Sequence, residues 1–355
     1  MLLEGIFSPI TTSFYPDERI YFKKLEFNVS RLSLTALAGL VVLGSTGEAV
    51  ALNDAETEDV LRVAAEVAAD EKVLIAGIGR ESVKATVELA ETAARLGYDA
   101  VLVRNPSYYR PQLDAPALLH YFRSVADRSP LPVLLYSIPK FTALEIPLEV
   151  VTELAQHGNV LGLKESSGSV ERVRDVVLAT SLAPRRTVTV TSIFEAVTGR
   201  MLSKKLPANG NFISAEGLAS GGDGNVALAV APPVPALKTR TREVGFQVLT
   251  GSASNLKESL DAGASGAILG FATCAPQACQ EIYTAWKEHD DQLALDKQAR
   301  IAEASGVVAA AMGIPGIKYA CDFNGYYGGN GRSPLLPVTA EGRVKIERVM
   351  AQIRN

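Results

Sequence analysis

Val160-Leu-Gly-Leu-Lys-Glu-Ser-Ser-Gly168 decides how this chain is read. A short apolar run, Val160, Leu161 and Leu163, carries Lys164 at its polar end, and two hydroxyls and a glycine follow at once. Strands buried on both faces read as continuous apolar runs, the mark of a parallel sheet covered by helices. A cation at the end of such a strand is expensive unless it has a task. Desolvation lowers the proton affinity of a lysine, and a neutral amine attacks carbonyls to form a Schiff base. On this segment alone, a strand-end lysine that has already reached solvent explains the pattern equally well.

Working outward, seven more short apolar or β-branched runs accompany this one. Five precede it: Gly5–Thr11, Gly39–Gly44, Lys72–Ile78, Ala100–Arg104 and Pro132–Tyr136. Two follow it, Phe246–Thr250 and Gly266–Gly270. Helical patterns separate them, starting at Asn53-Asp54 and running through Ala69, then Ser82–Leu96, Asp114–Ala126, Pro147–Gln156 and Ser169–Ala179. The first six strands begin roughly every 30 residues, the repeat of a βα unit. This alternation predicts βαβ units and a parallel sheet. Eight units in succession predict an α/β fold of the closed TIM (β/α)8 barrel type. An open doubly wound sheet is the runner-up, and the first strand lacks the G-x-G-x-x-G turn that such a sheet would favour.

The step from the sixth strand to the seventh is too long for one unit. The predicted barrel, residues 1–275, is therefore interrupted by an insertion at about 185–244. This insertion contains Thr187-Val-Thr-Val-Thr191, a short helical pattern near Ile193–Lys205, and the Gly/Ala/Pro-rich stretch Asn209–Pro235. A loop of this length is either functional or disordered. The reading is a partly disordered insertion, with a lid over the site as the alternative. Residues 276–355 read as a C-terminal helical extension. It has helices at Pro276–His289 and Asp291–Met312, a Gly/Tyr-rich turn region at Gly313–Gly331, and a last helix from about Thr339.

Composition excludes several classes. The chain has 355 residues, 47% of them hydrophobic and 21% charged, with a net charge of −4. That balance is globular and offers no surface for nucleic acid or an anionic membrane. No apolar run reaches the length of a membrane span, and the first residues resemble neither a signal nor a transit peptide, so a cytoplasmic location is expected. Cys274, Cys279 and Cys321 lack metal-ligand spacing and read as buried thiols. His120, His157 and His289 stand far apart and read as surface or capping residues, so no metal site is expected.

In a parallel barrel the chemistry collects at the C-terminal ends of the strands. The second strand ends in Gly44-Ser-Thr-Gly-Glu48, the fourth in Asn105-Pro-Ser-Tyr-Tyr-Arg110, the fifth in Tyr136-Ser-Ile-Pro139 and the sixth in Lys164. The Gly44–Gly47 turn offers backbone N–H groups and two hydroxyls, a nest for a carboxylate. An ordinary βα turn would look the same. Tyr136 can move protons as a phenol, or simply fill the core. Tyr108 and Tyr109 are adjacent, so one can face the site while the other packs. Taken together, these residues describe an amine that captures a 2-oxo acid, a nest for its carboxylate and a hydroxyl relay for protons.

On the G-S-T-G-E turn, the Y-S-I-P strand end and the G-L-K-E-S-S-G strand, the chain resembles the pyruvate-dependent class I aldolases. These form the dihydrodipicolinate synthase and N-acetylneuraminate lyase superfamily. The resemblance covers about 4–180 and 246–337. It implies a TIM barrel, usually a homotetramer, working without metal or organic cofactor on a small-molecule 2-oxo acid. By matching positions, it implies that Lys164 forms the Schiff base and Tyr136 donates and accepts the proton. Ser45 and Tyr108 complete the relay, the tyrosine commonly from a neighbouring subunit. Thr46, Gly47 and the backbone of Ile268 hold the pyruvate part. Ser166 is the candidate for the distal end of the substrate.

Dihydrodipicolinate synthases usually carry an arginine shortly after the fifth-strand tyrosine. Phe141 stands there, with Lys140 beside it. The stretches Pro106–Arg110, Gly313–Tyr319 and Gly325–Gly329 look more like 4-hydroxy-2-oxoglutarate aldolases, and aldolases of 2-keto-3-deoxy sugar acids share much of the pattern. The expected activity is a Schiff-base lyase that cleaves a 4-hydroxy-2-oxo acid to pyruvate and an aldehyde, most like a 4-hydroxy-2-oxoglutarate aldolase. A dihydrodipicolinate synthase or a 2-keto-3-deoxy sugar acid aldolase or dehydratase on the same imine, or a non-catalytic barrel kept for binding or assembly, are the alternatives.

Overall fold

The computed structural model describes residues 1–203 and 237–353. Among these described residues ten strands run in chain order: β1 Gly5–Pro9, β2 Gly39–Val42, β3 Val73–Gly77, β4 Ala100–Arg104, β5 Val133–Ser137, β6 Val160–Glu165, β7 Arg186–Thr191, β8 Thr239–Val244, β9 Gln247–Thr250 and β10 Gly266–Ile268. Eight of them close a barrel in the order β1-β10-β9-β6-β5-β4-β3-β2, with every pairing parallel. The expectation of a closed parallel barrel therefore holds.

Two apolar layers sustain it. Phe7, Val41, Ile75, Leu102, Leu134, Leu161, Leu249 and Ile268 fill the interior. A larger layer between strands and helices includes Leu40, Leu74, Leu135, Leu163 and the inward faces of helices such as Ala115–Arg128. The helix Asp54–Val67 starts on a reciprocal cap: the Asn53 side chain accepts from the Glu56 N–H at 2.9 Å, and the Glu56 carboxylate accepts from the Asn53 N–H at 3.0 Å.

The two ends of the insertion are ordered. Its ends pair as an antiparallel hairpin, β7 with β8, from Arg186 opposite Val244 to Thr191 opposite Thr239. Val188, Val190 and Val244 pack on Leu2. Arg242 meets Glu4 at 2.7 Å, and Gly199 donates to Asp99 at 2.9 Å. Glu4 and Asp99 immediately precede β1 and β4, so the hairpin sits on the N-terminal rim of the barrel. These described ends form no lid over the mouth, because alternating Thr and Val in β7 gives one apolar face that packs beneath the barrel. Of the helix predicted near 193–205, the described residues are helical over Gly199–Ser203. The Gly/Ala/Pro-rich stretch 209–235 lies outside the described residues.

After β10 come helices Pro276–Lys287 and Asp291–Ser305, the latter widening into a π-helical turn over Gly306–Ala311. The next helix, Gly313–Phe323, corrects the reading of Gly313–Gly331 as turn throughout. Pro315 falls in the first turn, where its missing N–H leaves no helical bond unmade. Gly316 is there for close approach, since a Cβ would meet the Val308 carbonyl at 2.5 Å. Ala340–Met350 is the last helix, and no helix among the described residues is long and apolar enough to cross a membrane.

Candidate active site

Lys164 owes its direction to an irregularity in β6. Pairing with β5 runs Val133–Val160 and then Leu134–Gly162, so Leu161 is an extra residue on its strand. Without it, alternation would put Leu161 and Leu163 on one face. With it, Leu161 stays in the barrel interior while Leu163 joins the outer layer, and Lys164 turns inward. Lys164 is 6% exposed and pairs in register with Tyr136. Its Nζ lies 4.1 Å from the centroid of the Tyr136 ring. The Tyr136 hydroxyl in turn lies 3.3 Å from Ser45 Oγ, across the barrel mouth.

The Ser45–Gly47 turn is a single 3-10 turn after β2. Within it, Gly47 N–H donates to Gly44 O at 2.9 Å, and Glu48 N–H donates to Ser45 O at 3.1 Å. The N–H groups of Ser45 and Thr46 open the turn, where helical geometry supplies no partner. They are the ones positioned to receive an anion. Gly47 itself is buried below them and would clash with Ile10 O at 2.9 Å if it carried a Cβ. Its place in the turn is set by close approach to backbone.

Six of the eight residues singled out from the sequence line one cavity of about 230 Å³: Lys164, Tyr136, Ser45, Thr46, Ser166 and Ile268. Gly47 supports it from beneath. Tyr108 stands apart, 79% exposed on the loop after β4, with its ring against Tyr109 at 5.1 Å. It does not join the cavity within one chain. The structure adds wall residues that sequence reading passed over. Ser252 and Ser254 follow β9, and Ser305 and Ala310 come from the helix and its π-helical turn. The run Gly251-Ser-Ala-Ser254 directly after a strand was the available signal. Ser254 and Ser305 share a hydrogen bond of 2.9 Å, and Lys140 Nζ donates to Ala310 O at 2.6 Å. Ser166 Oγ is buried at the cavity wall without a partner among the described residues.

Beneath the site, Glu165 is 1% exposed, and burial pushes its carboxyl above the usual range against the bonds from Ser167 and the nearby Arg172. A larger cavity, about 330 Å³, lies at the opposite, N-terminal end between Leu2, Phe7, Lys72, Phe194 and Tyr283. Of its two lysines, Lys72 is already engaged by the carbonyls of Thr35 and Leu37 at 2.7 and 2.9 Å, and Lys287 stands over the Tyr283 ring at 5.8 Å. Chemistry in parallel barrels belongs to the other end, which holds the Lys164 amine, the Tyr136 phenol and the hydroxyls.

Fold and site together define a parallel-barrel enzyme built around a buried amine at the mouth. The profile of the dihydrodipicolinate synthetase family matches residues 2–188 and 235–353, and the chain belongs to that family. Among similar curated proteins is the L-threo-3-deoxy-hexylosonate aldolase of Hypocrea jecorina, 39% identical over 182 residues. That match covers 50% of this chain and 58% of the relative. The enzyme of the same name from Aspergillus niger is 28% identical, covering 100% of this chain and 95% of the relative. The 4-hydroxy-tetrahydrodipicolinate synthase of Natronomonas pharaonis is 26% identical, covering 99% and 98%. In structure, the dihydrodipicolinate synthase of Bacillus anthracis superposes with a TM-score of 0.78 at 22% identity, each chain covered completely. YagE of E. coli, solved in complex with pyruvate, gives 0.76 at 22% identity, with 99% of each chain covered. The relatives in this family are thus named both as aldolases and as dihydrodipicolinate-type synthases.

Proposed function

We propose that the protein is a Schiff-base-forming class I aldolase that cleaves a 4-hydroxy-2-oxo acid to pyruvate and an aldehyde. The observation that carries this reading is the Lys164 amine, buried over the Tyr136 ring at 4.1 Å with Ser45 on the far side of the phenol. The amine adds to the C2 carbonyl, and loss of water gives a protonated imine. Tyr136, relayed through Ser45, takes the proton of the C4 hydroxyl as the C3–C4 bond breaks, and the electron pair passes into the imine. The aldehyde leaves. The resulting enamine is protonated at C3, and hydrolysis releases pyruvate and restores Lys164. The N–H groups of Ser45 and Thr46 hold the substrate carboxylate throughout. This orientation supplies part of the barrier reduction.

The distal half of the substrate is read as a hydroxylated chain. Ser166, Ser252, Ser254 and Ser305 give that end of the cavity a hydroxyl wall, and Phe141 offers no charge to a second carboxylate. A 2-keto-3-deoxy sugar acid fits it, and two fungal relatives are named for such an activity. The second reading is 4-hydroxy-2-oxoglutarate, favoured by Lys140 at the cavity wall; that lysine would have to leave Ala310 O to bind a distal carboxylate. Tyr108, exposed within one chain, completes the relay from a neighbouring copy in a homotetramer.

Intact-mass analysis after incubation with pyruvate and borohydride tests the reading. A pyruvyl adduct is expected in the parent and absent in Lys164→Ala. Aldehyde release from the two substrate classes then separates the two distal readings. A folded parent that forms no adduct would leave a non-catalytic barrel as the account of the chain.

A further inference from the structure

The Ser45–Gly47 turn is bracketed by two non-glycine residues in the left-handed region, Leu43 at φ 62° and Glu48 at φ 55°. Such residues carry strain, and they persist where the surroundings over-determine them. Glu48 is 2% exposed, and three partners explain its conformation. Its Oε1 meets Lys318 Nζ at 2.5 Å, its Oε2 accepts from the Arg332 N–H at 2.8 Å, and its own N–H closes the turn onto Ser45 O. Lys318 is completely buried and also donates to Asn330 O at 2.8 Å. Arg332 reaches the residues that follow the turn. It binds both carboxylate oxygens of Glu56 at 2.7 Å and Ala51 O at 2.9 Å.

The chain that closes around the turn therefore comes from Gly313–Phe323 and the segment after it, far along in sequence. The same helix contributes Ile317 to the cavity wall, next to Lys318. A buried ion pair is not a reliable source of stability, because desolvation of both charges offsets their attraction. Its better-attested use is to specify one geometry. Here that geometry belongs to the two N–H groups and the serine hydroxyl of the turn.

We propose that Glu48 is a positioning residue, clamped by Lys318 and Arg332, that holds the Ser45–Thr46 backbone in register for the substrate carboxylate. This rests on the aldolase reading above. The clamp touches no substrate, so its removal acts on binding of the 2-oxo acid and leaves the amine chemistry in place.

The test is the pyruvate dependence of borohydride trapping in the full chain, with thermal melting measured in parallel. Glu48→Gln is expected to raise the half-saturating pyruvate concentration about tenfold, while the trapping rate at saturation stays within about twofold of the parent. Leu118→Ala, which opens a cavity in the helical layer away from the site, is expected to lower the melting temperature with half-saturation unchanged. If Glu48→Gln does not fold, the charge-neutral pair Glu48→Gln with Lys318→Met is measured in its place, and the same shift is expected. A parent-like half-saturation in the Glu48 variant, or an equal shift in Leu118→Ala, would overturn the positioning role alone. A parent without any adduct would overturn the aldolase reading and this role with it.

Discussion

Lys164 and Tyr136 are register partners on β6 and β5, and the amine of the first rests on the ring of the second at 4.1 Å. The phenol thus serves two neighbours at once, with its face toward Lys164 and its hydroxyl toward Ser45. Tyr136→Phe separates these contributions, since it keeps the face and loses the hydroxyl. The pyruvyl adduct should still form in this variant. Retro-aldol turnover, followed by aldehyde release, should fall by about a hundredfold to a thousandfold. Turnover at the parent rate would take Tyr136 out of the proton path.

Glu165 should make stability depend on pH in an unusual sense. Burial raises its folded-state pKa above the ordinary 4.5. Between that value and the raised one, the folded chain keeps a proton that the unfolded chain has released, so stability falls as pH rises through the window. Glu165→Gln mimics the protonated form and retains an oxygen for the Ser167 N–H, which now donates to Glu165 at 2.6 Å. Denaturant midpoints should show the variant more stable than the parent above the window. The difference should vanish as pH falls to about 4.5. A constant difference at all pH values would show that Glu165 is not the titrating group.

Gly162 tests the strand pairing under Lys164. It lies opposite Gln247, and a Cβ would meet the Gln247 carbonyl oxygen at 1.9 Å. Backbone cannot step aside as a side chain can. Gly162→Ala should cost about 3 kcal/mol or more in chemical unfolding. The loosening should spread to the residues leading into β1, because the Gln247 side chain accepts from the Leu3 N–H at 2.6 Å. An unfolding midpoint equal to the parent's would contradict the close approach.

Arg200 tests the docked hairpin region. It is 13% exposed and joins Asp99 at 3.3 Å and Gly97 O at 3.1 Å. Arg200→Ala should destabilise the fold by about 1–3 kcal/mol. Half-saturation of the pyruvyl adduct should not move, because these contacts belong to the rim opposite the mouth. A shifted half-saturation would mean that the insertion reaches the site after all.

Much of this architecture could be read because local pattern and global fold agree. The eight apolar runs became the eight barrel strands, with ends moved by a residue or two. Lys164, Tyr136 and Ser45 converge because each ends a strand on the same side. What escaped reading depended on partners far away in sequence. The hairpin exists because β7 finds β8 nearly fifty residues later and finds Leu2 to cover, and neither pairing leaves a local mark. Gly313–Phe323 carries Gly and Pro, which signal a turn, while its packing against Val308 requires the glycine inside a helix. In the sequence, Lys318 is a single charge within Gly313–Tyr319. Its role appears only when Glu48, 270 positions earlier, is brought to 2.5 Å.

Arg186 and Val244, which open the hairpin, are a paired rung. The polypeptide therefore leaves the barrel and rejoins it at nearly one point, on the side away from the mouth. Extra chain grafted at such a point adds little closure entropy, about 0.6 kcal/mol for each doubling of loop length. The barrel has a mouth and, beneath it, a handle. An engineer could hang a fluorescent reporter, a surface anchor or a second enzyme from that handle while the chemistry above stays unaware of it.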